Sequence, residues 1–172
     1  GSIGFTRKLV ADLMAVPELR ESELAFMDID EQNLARTQQL VRRDLEHNGL
    51  PGSTVTATTD RRAALSDAKY IFSTVRIGGL RAFETDIEVP LRFGVDQCVG
   101  DTLSAGGIMY GQRNIPFILG LAHDIAEVAR PDALFMNYAN PMAMNVWAAA
   151  HYGGINVVGL CHGVQGGHGL IA

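Results

Sequence analysis

Short β-branched or apolar runs alternate along the chain with longer amphipathic patterns, and this alternation restricts the fold more than any other feature. Leu-Ala-Phe-Met at 24–27, Thr-Val-Thr-Ala-Thr at 54–58, Tyr-Ile-Phe-Ser-Thr-Val at 70–75, Leu-Phe-Met-Asn at 134–137 and Val-Val-Gly-Leu at 157–160 read as buried strands. Between them, Leu9, Leu13 and Val16 share one helical face, Leu34, Val41 and Leu45 a second, and Ile115, Leu119, Ala122, Ala126 and Ala129 a third. Strand followed by helix, repeated, predicts an α/β fold with a doubly wound, mainly parallel sheet. The punctuation agrees: Asn48-Gly49-Leu50-Pro51-Gly52 stops the second helix, Pro131 follows the third, and Pro141 suits the first turn of another. Pro90, Gly94 and Gly100 interrupt the stretch from 78 to 107, which reads as a helix over 80–93 followed by a loop.

With 172 residues and no repeat, low-complexity tract or linker, residues 1–172 read as one domain. Lys and Arg number 14 against 19 Asp and Glu, a formal charge of -5 with no basic stripe, which argues against nucleic acid as a partner. No apolar run approaches a membrane span, and Gly1-Ser2-Ile3-Gly4 lacks the regions of a signal peptide, so the expectation is a cytoplasmic protein without a membrane partner. Cys98 and Cys161 are too few for a disulfide framework, and each is a buried, reactive or metal-binding thiol. The chain enters a helical pattern at once, without the strand that precedes a phosphate-binding turn, and it stops soon after a Cys-His pair. Both ends suggest part of a longer protein whose first strand is missing.

Five constellations carry chemistry. Gly1-Ser2-Ile3-Gly4-Phe5 followed by Asp28 matches the second half of the Rossmann dinucleotide-binding pattern, in which glycines admit the pyrophosphate to a helix N-terminus and an acid after the second strand takes the ribose hydroxyls. Alternatively, Asp28-Ile29-Asp30 caps the helix that starts near Glu31. Arg76-Ile77-Gly78-Gly79 follows the third strand, where open α/β sheets bind ligands, or forms a simple turn with Arg76 solvated. Asp101-Thr102 with Gly106-Gly107, Tyr110, Gly111 and Arg113 reads as a ligand-facing loop, because glycine within a helix costs about 1 kcal/mol. The alternatives there are an N-cap by Asp101 and a packed, ion-paired helix face for Tyr110 and Arg113. Asn137-Tyr138-Ala139-Asn140-Pro141 presents an amide at a strand end, unless Asn140 caps the next helix, and Met142 and Met144 read as packing residues. Cys161-His162 leaves the last strand where such enzymes keep their chemistry, and both residue types bind divalent metals or move protons. His47, His123 and His151 are scattered on helices without a constellation.

Taken in order, Gly-Ser-Ile-Gly-Phe-Thr, Met-Asp-Ile-Asp at 27–30, Gly100-Asp101-Thr102 with Gly106-Gly107-Ile108, Asn137-Tyr138-Ala139-Asn140-Pro141-Met142-Ala143-Met144 and Gly159-Leu160-Cys161-His162 resemble glycoside hydrolase family four, within it the α-galactosidase branch. The resemblance covers essentially the whole chain. It implies a fold similar to that of lactate and malate dehydrogenases, with NAD and a divalent metal, commonly manganese (Mn2+), as cofactors. It further implies a small α-galactoside substrate, a homo-oligomeric assembly, and hydrolysis by C3 oxidation, C1–C2 elimination, water addition and re-reduction, outside the two-carboxylate scheme of most glycosidases. Carried onto this sequence, Gly1, Ser2, Gly4, Phe5, Asp28, Arg76 and Gly78 would bind NAD, Asn140 and Asp101 the sugar, and Cys161 the metal, with His162 protonating the leaving group. Tyr110 and Ala139 depart from the usual residues of the branch, and the family's second metal ligand and tyrosine base lie beyond Cys161-His162. A chain that stopped at Ala172 would therefore be inactive alone. The alternatives are a lactate/malate-type dehydrogenase and an NAD-binding module without activity.

Overall fold

The computed structural model describes residues 3–97 and 101–171 and, within these, the side chains of all but residues 162, 164 and 165. Cys98 and Gly100 therefore lie outside the described residues, as do Gly1 and Ser2. The chain divides into two compact units, Gly1–Ser66 and Asp67–Ala172.

In the first unit, α1 (Ile3–Ala15) and a short 3-10 helix (Pro17–Leu19) lead into β1 (Glu23–Met27), α2 (Glu31–His47), β2 (Thr54–Thr58) and α3 (Arg61–Leu65). β1 and β2 pair in parallel from Glu23 opposite Thr54 to Met27 opposite Thr58. Val10, Met14, Val41, Leu45 and Val55 form the core, with Leu13, Leu24, Phe26 and Leu50 packed against it. The expected α2 face is the one buried. On α1 the buried residues are Val10 and Met14, whereas Val16 lies beyond the helix and is 42% exposed. Leu9 and Leu13 lie half-buried beside this stripe, with Leu13 packed against the core, so the buried face of α1 is turned by one residue from the expected one. Asp30 ends the approach to α2 and accepts hydrogen bonds from the amides of Gln32 and Asn33, satisfying two of the helix's open donors.

The second unit runs β3 (Tyr70–Ser73), α4 (Gly79–Arg92), α5 (Ser104–Val128), β4 (Leu134–Asn137), α6 (Met142–Tyr152), β5 (Val157–Gly159) and α7 (His162–Ile171). Its three strands are parallel in the order β3-β4-β5, so the connections crossing back between them must carry helices, and they do. Ser73 stands opposite Asn137, and Asn137 opposite Gly159, which places these three in one row at the carboxyl end of the sheet. All five expected strands are present.

The expected loop from 98 to 113 is overturned beyond Leu103: Ser104–Val128 is one helix, α5, containing Gly106, Gly107 and Gly111. Close packing, not flexibility, explains Gly106 and Gly111. A Cβ on Gly106 would stand 2.6 Å from the Asp86 carbonyl oxygen of α4, and one on Gly111 would stand 2.5 Å from the Met144 sulfur of α6. The apolar stripe of α5 is also displaced from the expected one. Ile118, Leu121, Ala122 and Ile125 are buried, while Ala126 is exposed. Among the described residues no helix is long and apolar enough to cross a membrane.

Candidate functional site

In open parallel sheets ligands gather at the carboxyl ends of the strands, and in each unit those ends carry the chemistry-bearing residues. In the first unit Asp28 directly follows β1. Its carboxylate accepts from the Asp30 amide at 3.1 Å and from the Asn33 carboxamide nitrogen at 3.2 Å. Asp30 does the capping, so the two acids divide the roles that the sequence left open between them. Gly4 and Phe5 lie in the first turns of α1, and a Cβ added at Gly4 would meet nothing within 4 Å. None of the described residues demands that glycine. A backbone left bare there suits a ligand approaching the start of α1.

In the second unit the segment after β3 turns through Gly78, whose φ of 82° lies in the left-handed region and whose Cβ would come within 2.5 Å of the Ala82 Cβ. That turn is held from α5. Arg113 donates through Nε to the Ile77 carbonyl at 3.0 Å and grips Asp86 of α4 with both terminal nitrogens, at 3.0 and 2.5 Å. Asp86 is 3% exposed, so the ion pair satisfies a buried carboxylate and raises the Arg113 pKa above its ordinary value. Tyr110 is the flat surface of the group. The Arg113 and Arg76 guanidiniums lie 5.1 and 5.5 Å from its ring centre, and Arg76 also lies 4.9 Å from the centre of Phe83. Burial pushes the Tyr110 phenol pKa up, with the Arg76 charge opposing and Asp101 adding. The packed, ion-paired reading of Tyr110 and Arg113 is therefore the realised one. Arg76 is exposed at the surface of this aromatic bracket.

The row after β4 is the most tightly organised. Asn140 donates through Nδ2 to Asp101 at 2.6 Å, joining two residues 39 positions apart. The helix caps considered for both are overturned by position: α5 begins at Ser104 with Leu103 at its N-cap and α6 at Met142 with Pro141 at its N-cap, and neither cap makes a side-chain hydrogen bond. Asn140–Pro141 is a cis peptide bond. Asp101 Oδ1, Ser73 Oγ, Asn137 Oδ1 and Asn145 Oδ1 are buried acceptors without a hydrogen-bond partner among the described residues. Buried polar atoms are normally paired, so this concentration marks a place prepared for polar contacts. Sequence reasoning singled out Asn137 within its motif but missed Asn145 and Asp86. The available signal for each was a lone polar residue at a core position of an amphipathic helix.

After β5, Cys161 carries a free, exposed thiol at the carboxyl edge. Gly159 precedes it because Met142 and Val146 of α6 occupy the space a Cβ would need. His162 is the first residue of α7, and its side chain lies outside the described residues. Among the described residues no three His, Cys, Asp or Glu side chains converge as a metal site. His47, His123 and His151 are exposed, and the imidazole of His123 lies 3.0 Å from the Glu127 carboxylate.

Parallel strands with helical crossovers and polar side chains gathered at the carboxyl strand ends define an α/β protein of the Rossmann-like kind. The chain belongs to the family 4 glycosyl hydrolases, whose model matches residues 1–172. It is 61% identical over 172 residues to an α-galactosidase of Rhizobium meliloti (strain 1021), covering all of this chain and 35% of that protein. It is similar to a 6-phospho-α-glucosidase from gut microorganisms, solved with NAD and Mn2+, at 26% identity and a TM-score of 0.76, covering 92% of this chain and 36% of the other. A lactate dehydrogenase from Eimeria maxima shares the fold alone, at 17% identity and a TM-score of 0.59 over 94% of this chain and 41% of its own. The chain thus spans little more than a third of the length of the family relatives it matches.

Proposed function

We propose that the full natural protein is an NAD- and manganese-dependent α-galactosidase, and that residues 1–172 form its NAD-binding, Rossmann-like domain. The observation that supports this most is the 61% identity to an α-galactosidase, sustained over every position of the chain. When bound, NAD would supply reversible hydride acceptance at the sugar and the metal would supply Lewis acidity toward its oxygens. The described residues include groups suited to NAD. Asp28 offers a carboxylate oriented by two donors to the ribose hydroxyls, and Gly4 with Phe5, continuing from Gly1 and Ser2, offers bare backbone to a pyrophosphate. Arg76, braced on aromatic rings beside Gly78, offers positive charge to an anionic group.

Asn140 and Asp101 are the sugar-binding pair. Their mutual hydrogen bond leaves the amide oxygen of one and the buried Oδ1 of the other to take and orient hydroxyls. Cys161 would bind the metal as a thiolate, since coordination deprotonates a thiol, and its exposure at the strand end leaves it open to do so. His162 would hold the proton delivered to the departing glycosidic oxygen. Dependence on NAD suits the cytoplasm, where that cofactor is abundant, and a homo-oligomeric assembly belongs to the same reading.

Hydrolysis of an aryl α-galactoside by the full natural protein, with NAD and manganese each supplied and withheld, tests the proposal. Activity should need both additions and disappear in Cys161→Ala. Turnover indifferent to NAD would point to ordinary acid/base hydrolysis and overturn it.

A further inference from the structure

Asn137 and Asn145 are both fully buried, and both donate through Nδ2 to one acceptor, the Ala139 carbonyl oxygen, at 2.8 and 3.2 Å. A carbonyl oxygen can only accept, so both amide nitrogens must face it. Each Oδ1 is thereby turned into the interior, where neither has a hydrogen-bond partner among the described residues. Two buried, unpaired amide oxygens lower stability, and an apolar side chain of the same branched shape at 145 would avoid that loss. Stability alone gives no reason for this pair.

What the pair does is fix one peptide. Ala139 immediately precedes Asn140, and the neighbouring backbone is tied on both sides: Tyr138 N–H donates to the Ser73 carbonyl of β3 at 2.9 Å, and Leu160 N–H to the Asn137 carbonyl at 2.9 Å. With the Ala139 carbonyl held by two donors, Asn140 leaves the turn in one direction and reaches Asp101 at 2.6 Å. The rotation of the Ala139–Asn140 peptide is set by contacts from β4 and from α6 together. A misplacement of about 1 Å at a binding group can cost roughly a hundredfold in rate, so a turn of this kind repays rigid support.

We propose that Asn137 and Asn145 are positioning residues for Asn140: they lock the Ala139 carbonyl so that the Asn140–Asp101 pair is presented in a single orientation to a polyhydroxylated ligand. The sugar as that ligand rests on the function proposed above; the locking of the turn does not. The test uses the full natural protein carrying Asn145→Leu, which keeps the branched shape and removes the donor, with Asn145→Ala as a second variant in case leucine overpacks, and Asn140→Ala as the reference. Amide hydrogen exchange at Tyr138 and Leu160, whose N–H groups tie the turn to β3 and β4, should quicken by about tenfold or more while protection elsewhere stays as in the wild type. NAD affinity should stay within about twofold, and kcat/KM on an aryl α-galactoside should fall at least about tenfold, toward the Asn140→Ala value. Unchanged exchange at these two amides, or a uniform loss of protection throughout the unit, would overturn the proposal, since either is what a packing role alone produces. Faster local exchange in a protein whose wild type does not hydrolyse α-galactosides would sustain the positioning role and sink the substrate reading.

Discussion

Tyr110 shows how one residue can be legible in type and misjudged in setting. Its place among glycines suggested a loop, yet it is 3% exposed and braced by two guanidiniums. Burial raises its pKa above 10, so the folded state favours the neutral phenol, and the resulting stability is complete below the unfolded pKa and lost as pH climbs through the folded one. Urea midpoints followed from pH 8 upward should accordingly fall more steeply near and above pH 10 in the wild type than in Tyr110→Phe, which has nothing to ionise there. Parallel curves would mean that the phenol ionises as it does in the unfolded chain. The roles of Asp28 and Asp30 were open in the sequence because both stand at a strand end before a helix; only the hydrogen bonds separate the cap from its neighbour. That Asn140 meets Asp101 and that Asp86 is the partner of Arg113 was not legible, since each contact joins residues 27 or more positions apart whose meeting depends on how helices cross.

At the scale of elements, the strands were legible because β-branched and apolar runs bounded by polar or glycine-containing segments have few other uses in an α/β chain. The start of α5 was not, because glycine's low helix propensity is a local argument and the requirement met here is tertiary. Gly106 lets α5 approach α4, and adding a methyl group there would force it against the backbone carbonyl of Asp86. Gly106→Ala should therefore lose stability, by about 1–3 kcal/mol from overpacking less the roughly 1 kcal/mol that alanine returns in a helix, as read from denaturant midpoints. Gly4→Ala offers the contrast. Its methyl group would meet none of the described residues, so residues 1–172 taken alone should keep their stability or gain slightly, whereas NAD affinity measured by calorimetry should drop if the cofactor approaches that backbone. A Gly4→Ala protein that binds NAD as the wild type does would remove α1 from the cofactor site.

For the whole chain the question is what residues 1–172 do in isolation. Large apolar side chains remain exposed on several elements, among them Leu80 at 78%, Phe93 at 82%, Leu103 at 77% and Trp147 at 72%, and both parallel sheets end in edge strands. Soluble monomers seldom leave so many large apolar groups in water, and unpaired strand edges add a second route to association. A formal charge of -5 spread over 172 residues gives only modest mutual repulsion to oppose it. Sedimentation velocity on the isolated chain should therefore show concentration-dependent species heavier than 18.5 kDa, growing as salt screens the remaining charge. Trp147→Gln, which removes the bulkiest exposed apolar group without touching the Asn140–Asp101 pair, should shift the distribution toward monomer. A single species of monomer mass at every concentration, with a cooperative melt, would mean that these surfaces are stable in water, and the exposed face of α6 would then need no partner to explain it.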